Sequence, residues 1–326
     1  MEIIDNLLIT DECDVAFVQD IIAETAESIR DMTIRGAGRI ARAGADALGR
    51  FAGEYSGNDL AAFREDLSRA TKTILDSRPT AVSLWNGVHS TILGVDGASS
   101  VDEARELIIR NSREFCDRSE KAVETIARIG AKRIEDGDSV MTHCNSRAAL
   151  GVIKEAHRQG KEFRVFATES RPWRQGILTV TELAEAGVNV TMIIDSAVRY
   201  VMNDIDEVFV GADTITSHGA VINKIGTSQL ALAAHEARTN FFVCGETYKF
   251  SPMTMFGDMV AIEERETSEV VRPGEIPDSV KIFNPVFDST PAQYIDAIIT
   301  EVGMIPPTAV YSIMVRQLGD AVFYKE

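Results

Sequence analysis

The hydrophobic pattern of this 326-residue chain changes period once, and that change limits the possible folds more than any other feature. Up to about Asp138 apolar residues recur at helical spacing. Val15, Val18, Ile21, Ile22, Ala26 and Ile29 mark one amphipathic helix over residues 14–30, and Ile40, Ala41, Ala45 and Leu48 mark a second. Residues 60–75 give a third, and residues 101–134 a long one with charges on its outer face. No strand is predicted before Asp138. Beyond it, short β-rich runs appear at 139–142, 164–167, 190–194, 207–211, 241–243 and 281–283. Most are separated by helical stretches, notably 147–158, 179–185 and 228–238. Strands that alternate with helices pair in parallel, because each parallel neighbour needs a crossover that returns the chain to the same end of the sheet. The predicted fold class is α/β. An all-helical N-terminal domain, residues 1–136, precedes a Rossmann-like domain, residues 137–326, whose mainly parallel sheet is covered by helices on both faces. The stretch from Pro273-Gly274 to Asp278 reads as a surface loop.

Composition narrows the function classes. Hydrophobic residues make up 45% and charged residues 25%, enough apolar material for a real core. Apolar runs such as 188–194 are far too short to cross a bilayer. The acidic opening MEIIDNLLITDECD lacks the basic region of a secretory signal. Cys13, Cys116, Cys144 and Cys244 form no CxxC pair and no compact cluster with histidine. That argues against a disulfide scaffold and structural zinc, and for a reducing compartment, so a cytoplasmic protein is expected. A net charge of −17 opposes nucleic-acid binding unless a local basic patch counters it, and no such patch is visible along the chain. A small anion is still admissible, because a few convergent Arg, Lys and backbone N–H groups outweigh a distant acidic surface.

In open parallel sheets ligands collect beyond the C-terminal ends of the strands. Three segments are expected there. In Thr142-His143-Cys144-Asn145-Ser146 the cysteine falls at a strand-to-helix junction, where helix N–H groups can lower a thiol pKa below its usual ~8.5. Cys144 is either such a reactive thiol or a small buried apolar residue, and His143 reads as a satisfied structural histidine. Cys13, Cys116 and Cys244 read as ordinary helix or core residues. In Gly211-Ala212-Asp213 the aspartate leaving a hydrophobic strand is either a catalytic carboxylate or a turn and cap residue. Asn223-Lys224-Ile225-Gly226-Thr227 precedes a helix, so charge and backbone N–H groups there either hold a phosphate or form an ordinary capped loop. It lacks the Walker frame.

Two patches come from the helical part. Arg35-Gly36-Ala37-Gly38 lies between helical runs, where its glycines would let N–H groups approach a phosphate or simply make a turn. Ser77-Arg78-Pro79-Thr80 ends one helix and starts the next, with Pro79 suited to a first helical turn and Arg78 a second anion clamp or a surface charge.

Taken in order, RGAG at 35–38, SRPTAV at 77–82, THCNS at 142–146, GAD at 211–213 and NKIGT at 223–227 resemble the family of translation-initiation exchange-factor α/β/δ subunits and sugar-phosphate isomerases. The resemblance covers nearly the whole chain, and Tyr248-Lys249-Phe250 is similar to a further family segment. In the isomerases of that family the matching Cys and Asp form the catalytic pair, which implies Cys144 and Asp213 here. The resemblance also implies substrate or phosphate contacts at Arg35, Gly36, Ala37, Gly38, Arg78, Ser146, Arg147, Ala148, Asn223, Lys224 and Lys249. The NSRAAL stretch after the cysteine, the short N-terminal part and the YKF lysine point to the ribose-1,5-bisphosphate isomerases of the family. Methylthioribose-1-phosphate isomerases and non-catalytic regulatory subunits are the alternatives.

The implied reaction is an aldose–ketose isomerisation of ribose 1,5-bisphosphate to ribulose 1,5-bisphosphate in AMP degradation. Cys144 as thiolate would take the C2 proton, and a buried Asp213 would manage protons at the ring and hydroxyl oxygens, with a C2-to-C1 hydride shift as the rival route. No metal or organic cofactor is expected. The resemblance further implies a homo-oligomer, either a dimer or a hexamer built from dimers, and activation by AMP. Neither a nucleic-acid partner nor a membrane is expected.

Overall fold

Apolar spacing turns into helices first. The protein, seen here as a computed structural model that describes residues 12–318, divides into one unit ending at Ser119 and another beginning at Glu120. The first is built from α1 (Glu12–Arg30), α2 (Ala37–Glu54), α3 (Leu60–Ser77), α4 (Val82–Ile92) and the start of α5 (Val101–Gly130). Each helix gives one face to a shared core of Ile22, Ile29, Ile40, Leu48, Phe51, Phe63, Ile74, Leu84, Val88 and Ile108. Full burial of each large apolar side chain stabilises by roughly 1.5–3 kcal/mol. Tyr55 meets Phe63 edge to face with centroids 4.8 Å apart. Asp59 caps α3 by accepting from the N–H groups of Ala61 at 2.8 Å and Ala62 at 3.2 Å.

Two expectations need correction in this unit. Pro79 is not in the first turn of a helix. It lies in a turn closed by Ala81 N–H on the Arg78 carbonyl at 3.0 Å, and α4 starts only at Val82. The long helix stops at Gly130, four residues before Ile134. Cys13 falls on α1, but its side chain lies outside the described residues.

The second unit carries β1 (Ser139–Thr142), α6 (Arg147–Arg158), β2 (Arg164–Thr168), α7 (Gly176–Glu185), β3 (Asn189–Ile193), α8 (Val198–Val201), β4 (Glu207–Val210), β5 (Thr214–Thr216), β6 (Val221–Lys224) and α9 (Thr227–Ala237). It continues through β7 (Asn240–Cys244), β8 (Phe250–Ser251), β9 (Phe287–Thr290), β10 (Ala297–Thr300), β11 (Gly303–Ile305) and α10 (Val310–Leu318). Seven strands form one sheet in the order β11-β10-β7-β4-β1-β2-β3. All neighbours are parallel except β10 and β11, which a two-residue turn at Glu301-Val302 forces to run antiparallel.

The chain winds outward from β1 in both directions, the arrangement of a Rossmann-like fold. Alternate strand residues face opposite layers. Val140, Phe209, Phe242 and Ile299 pack with α6 residues Ala149, Leu150 and Ile153. Met141, Val208, Val210, Phe241 and Ile298 pack with Leu230, Ala231 and Ala234 of α9 and Met314 of α10.

A second sheet, β8-β5-β6-β9, is not foreseen in the sequence reading. The strand expected at 281–283 does not form, and Phe283 there is 72% exposed; the chain pairs with β6 only from Phe287 onward. Its side chains at 281–283 meet solvent, so alternation alone has no face to bury. No helix among the described residues is long and apolar enough to cross a membrane.

Candidate active site

β1 delivers His143 and Cys144 to the C-terminal edge of the large sheet, and the backbone there is tightly held. His143 is 2% exposed. Its Nε2 lies 2.8 Å from the Ile225 carbonyl and its Nδ1 lies 2.6 Å from the Thr168 hydroxyl. A carbonyl only accepts, so Nε2 carries the proton and Nδ1 accepts from Thr168. Burial pushes this imidazole below its ordinary pKa, which suits a neutral strut joining β1, β2 and the turn after β6. The structural reading of His143 is the one the geometry supports. Gly226 completes that strut. It sits at φ 100°, and a Cβ there would stand 3.0 Å from the imidazole, so only glycine fits both the backbone and the ring.

Cys144 follows in the left-handed region at φ 66°. Its N–H donates to Ser170 Oγ at 2.8 Å, and its carbonyl accepts from Thr179 Oγ1 at 2.6 Å. Its sulfur lies 3.7 Å from Gln175 Oε1. The thiol is half-buried by exposed surface and is not the lowered thiol that the junction suggested. Desolvation pushes it up to about 11, opposed chiefly by Lys224 and by the Asn145 backbone, and reinforced by Asp213 and Asp195. The helix N-terminus fails to lower it because α6 starts three residues later, with Ser146 as its cap accepting from Ala149 N–H at 3.4 Å. A terminus acts within about a turn, and what it and the Asn145 N–H supply here does not outweigh desolvation.

Gly211, at the end of β4, lets the sheet approach that cap. A Cβ at this position would stand 2.4 Å from Ser146 Oγ. Next to it Asp213 leads into the β5–β6 hairpin. Its N–H donates to the Ile222 carbonyl at 2.9 Å, and the register Thr214 opposite Ile222 sets Asp213 opposite Asn223. Asp213 is partly exposed rather than buried. Lys224 closes β6, 5% exposed, with its ammonium 4.9 Å above the Phe287 ring. Its pKa is lowered by desolvation, against the pull of Cys144 and Asp213. The structure therefore brings Cys144, Asp213 and Lys224 within electrostatic reach of one another.

The helix after NKIGT is not an open phosphate cradle. Asp288 of β9 already accepts from the N–H groups of Gly226 at 2.8 Å and Ser228 at 3.1 Å, and burial raises this carboxyl to about 6. Asn223 is turned inward, donating to Thr227 Oγ1 at 2.9 Å. What this segment presents to a ligand is the Lys224 side chain. Lys249 is 6% exposed and ion-paired to Glu246 at 2.6 Å, which holds that carboxylate below its ordinary pKa. Arg147 is exposed, whereas the Ala148 side chain is buried, so Ala148 can offer only its backbone.

In the first unit the two basic segments meet. Gly36 caps α2 at φ 91° with no side-chain cap bond, Arg35 beside it is exposed, and Ala37 and Gly38 open the helix. Arg78 reaches Met32 Sδ at 3.4 Å, and Ser83 of α4 donates to the Ala37 carbonyl at 2.9 Å.

Ser170, Gln175, Thr179 and Asp195 are the residues that sequence reasoning missed. For Ser170 and Gln175 the signal lay in Glu169-Ser170-Arg171-Pro172-Trp173-Arg174-Gln175-Gly176, a turn-rich stretch that leaves the C-terminal end of β2 as the other site segments leave theirs; Thr179 and Asp195 lie outside it. Cys116, whose sulfur lies 3.8 Å from the Arg42 carbonyl, and the fully buried Cys244 keep their structural readings.

Comparison with known proteins shows the family. The initiation factor 2 subunit family matches residues 33–307. A ribose 1,5-bisphosphate isomerase of Archaeoglobus fulgidus is 54% identical over 300 residues, covering 92% of this chain and 94% of that protein. A methylthioribose-1-phosphate isomerase of Heliobacterium modesticaldum is 37% identical over 324 residues, covering 93% and 94%. Among solved structures, the Pyrococcus horikoshii translation initiation factor eIF-2B superposes with a TM-score of 0.76 at 34% identity, covering 88% of this chain and 97% of that one. The chain belongs to the initiation factor 2 subunit family.

Proposed function

We propose that the protein is an aldose–ketose isomerase that converts ribose 1,5-bisphosphate to ribulose 1,5-bisphosphate. The observation that carries the reading is Cys144, held at a strained backbone angle, with Lys224 and Asp213 close enough to shift its ionisation. Identity of 54% to a protein named for the bisphosphate, against 37% to one named for methylthioribose 1-phosphate, favours the bisphosphate.

A thiol at about 11 holds its proton at neutral pH, so Cys144 enters the reaction as an acid rather than as a resting thiolate. It protonates the ring oxygen as the C1–O4 bond breaks. The resulting thiolate, stabilised by Lys224, takes the C2 proton and leaves an enol phosphate. The thiol exchanges its proton with solvent and then protonates C1 while Asp213 accepts the proton of O2, and passage of that proton from Asp213 to the thiolate through solvent restores the starting state. Lys224, the N–H groups at Arg147 and Ala148, Ser146, Asn223, the Arg35–Gly38 segment and Arg78 are proposed to bind the phosphates, so that binding energy remote from C1 and C2 serves orientation. Asn223, turned inward to Thr227, and Lys249, which is proposed with them but already neutralised by Glu246, are the weakest of these assignments. A homo-oligomer, activation by AMP and a role in AMP degradation belong to the same proposal and rest on the resemblance, whereas a cytoplasmic location rests on the cysteine usage and a domain boundary at 136/137 on the change of hydrophobic period.

Incubation with α-ribose 1,5-bisphosphate or methylthioribose 1-phosphate, followed by NMR, tests the reading. Ketose is expected from the bisphosphate alone, with solvent deuterium appearing at C1. Full retention of the C2 hydrogen would replace proton transfer by a hydride shift. Cys144→Ser and Asp213→Asn should each lower turnover about 10²–10⁴-fold, the usual worth of positioned acid–base groups, and near-normal turnover in either would remove it from the mechanism.

A further inference from the structure

Asp195 stands just beyond the C-terminal end of β3 and belongs to none of the segments that the sequence marked out. Its two carboxylate oxygens accept separately from consecutive backbone N–H groups, Oδ1 from Ser170 and Oδ2 from Arg171, both at 2.8 Å. Ser170 is fully buried, sits at φ 59°, and turns its hydroxyl to accept from the Cys144 N–H. The same turn runs through Arg171, Pro172 and Trp173 to Gln175, whose side-chain oxygen meets the Cys144 sulfur. Two consecutive N–H groups satisfied by one carboxylate fix a turn that a non-glycine residue does not enter freely.

We propose that Asp195 is a positioning residue for Cys144: it locks the Ser170–Gln175 turn from below, and through Ser170 and Gln175 it holds the cysteine backbone and sulfur where the reaction needs them. It touches no reacting atom. Its charge has a second effect, since with Asp213 it is one of two carboxylates whose charge raises the thiol against the pull of Lys224. His143, the neighbouring titratable side chain, is neutral and turned into the core. Asp195 therefore adds to the desolvation that keeps the thiol protonated at rest, which suits the acid role proposed above. The inference rests on that reading for its effect on turnover but not for its effect on the thiol.

The test uses the full chain and two readouts. Thiolate ultraviolet absorbance is titrated in the wild type and in Asp195→Asn, each against a Cys144→Ser counterpart so that only Cys144 is seen. Asp195→Asn keeps one acceptor and loses the charge and the second acceptor. The Cys144 midpoint should fall by roughly half a pH unit or more, as removal of a nearby like charge requires. Turnover should fall about tenfold or more with KM changed less than threefold, because orientation and not substrate affinity is lost.

An unmoved midpoint, or turnover within twofold of wild type, would overturn the proposal. Ser170→Ala serves as the second variant should Asp195→Asn not fold. It retains the carboxylate, so its midpoint should stay within about 0.2 units while turnover still drops several-fold. Unchanged turnover there would equally overturn it. If the wild type isomerises neither sugar phosphate, the functional reading fails while the titration still decides whether Asp195 governs the thiol.

Discussion

Two lysines stand at the C-terminal edge of the strands, both flagged by sequence and both almost fully buried, yet the structure treats them differently. Lys249, 6% exposed, has a carboxylate partner 2.6 Å away, and Glu246 in turn accepts from the Tyr248 hydroxyl at 2.9 Å. A neighbouring carboxyl, Glu301, holds the Thr247 backbone and hydroxyl and is raised by burial. Lys224, 5% exposed, makes no hydrogen bond or ion pair among the described residues and rests on an aromatic face. The difference teaches that burial alone does not identify a functional cation. A buried ammonium with its own carboxylate is internally compensated and structural, whereas one without a bonded carboxylate keeps its donors for something that arrives.

The comparison can be broken by substitution. The largest effect is expected at the compensated pair. Lys249→Met leaves Glu246 buried without its counter-ion and should cost about 3–5 kcal/mol of stability, read by denaturant unfolding. The double variant Lys249→Met/Glu246→Gln should recover most of that loss. Equal losses in the single and double variants would mean that the pair is not the stabilising unit. Lys224→Met should leave the unfolding midpoint near that of wild type, or raise it, because it removes an uncompensated buried charge. If Lys224 serves the reaction as proposed, kcat/KM should nevertheless fall by roughly 10²–10³-fold, the usual cost of losing one preorganised charge at a reacting site. Loss of stability without loss of kcat/KM would reverse the assignments of the two lysines.

A smaller effect sharpens the contrast at the opposite end of the sheet. Glu207 opens β4, is 5% exposed, and has one oxygen on Arg133 at 3.0 Å while the other has no partner. Desolvation outweighs Arg133 and pushes this carboxyl to about 7. A folded-state pKa above the unfolded one means that the protonated form fits the fold. The associated stability is complete below the ordinary pKa of 4.5 and is lost as pH rises towards 7. Glu207→Gln should therefore raise the melting temperature at pH 8, by a stability gain of about 1–2 kcal/mol, and change it little at pH 4.5. A gain of equal size at both pH values would trace it to packing instead of charge.

Much of this architecture was legible before any coordinates. The runs at 139–142 and 147–158 fall on β1 and α6 as drawn, because a fully buried strand and an amphipathic helix each impose a period that no loop mimics. The second sheet was not legible. β5 and β6 are three and four residues long, and their partners β8 and β9 come from distant parts of the chain, so no local period reports the pairing. Within the candidate site the cysteine, the carboxylate and the Lys224 segment were visible as residue types at strand ends. The residues that orient Cys144 were not, since Ser170, Gln175, Thr179 and Asp195 approach it from β2, α7 and the end of β3 by packing that no spacing encodes.

The sequence by itself determined that helices precede a strand-and-helix alternation, that the sheet is mainly parallel, and that the chemistry-bearing residues stand at its C-terminal edge. Side-chain period and the need for crossovers are local properties, and they suffice for that much. Only the tertiary structure decided the state of each ionisable group. Whether a thiol is raised or lowered, whether a helix N-terminus is open or already filled by Asp288, and whether a lysine is compensated or available all depend on which distant groups the fold brings within a few ångströms.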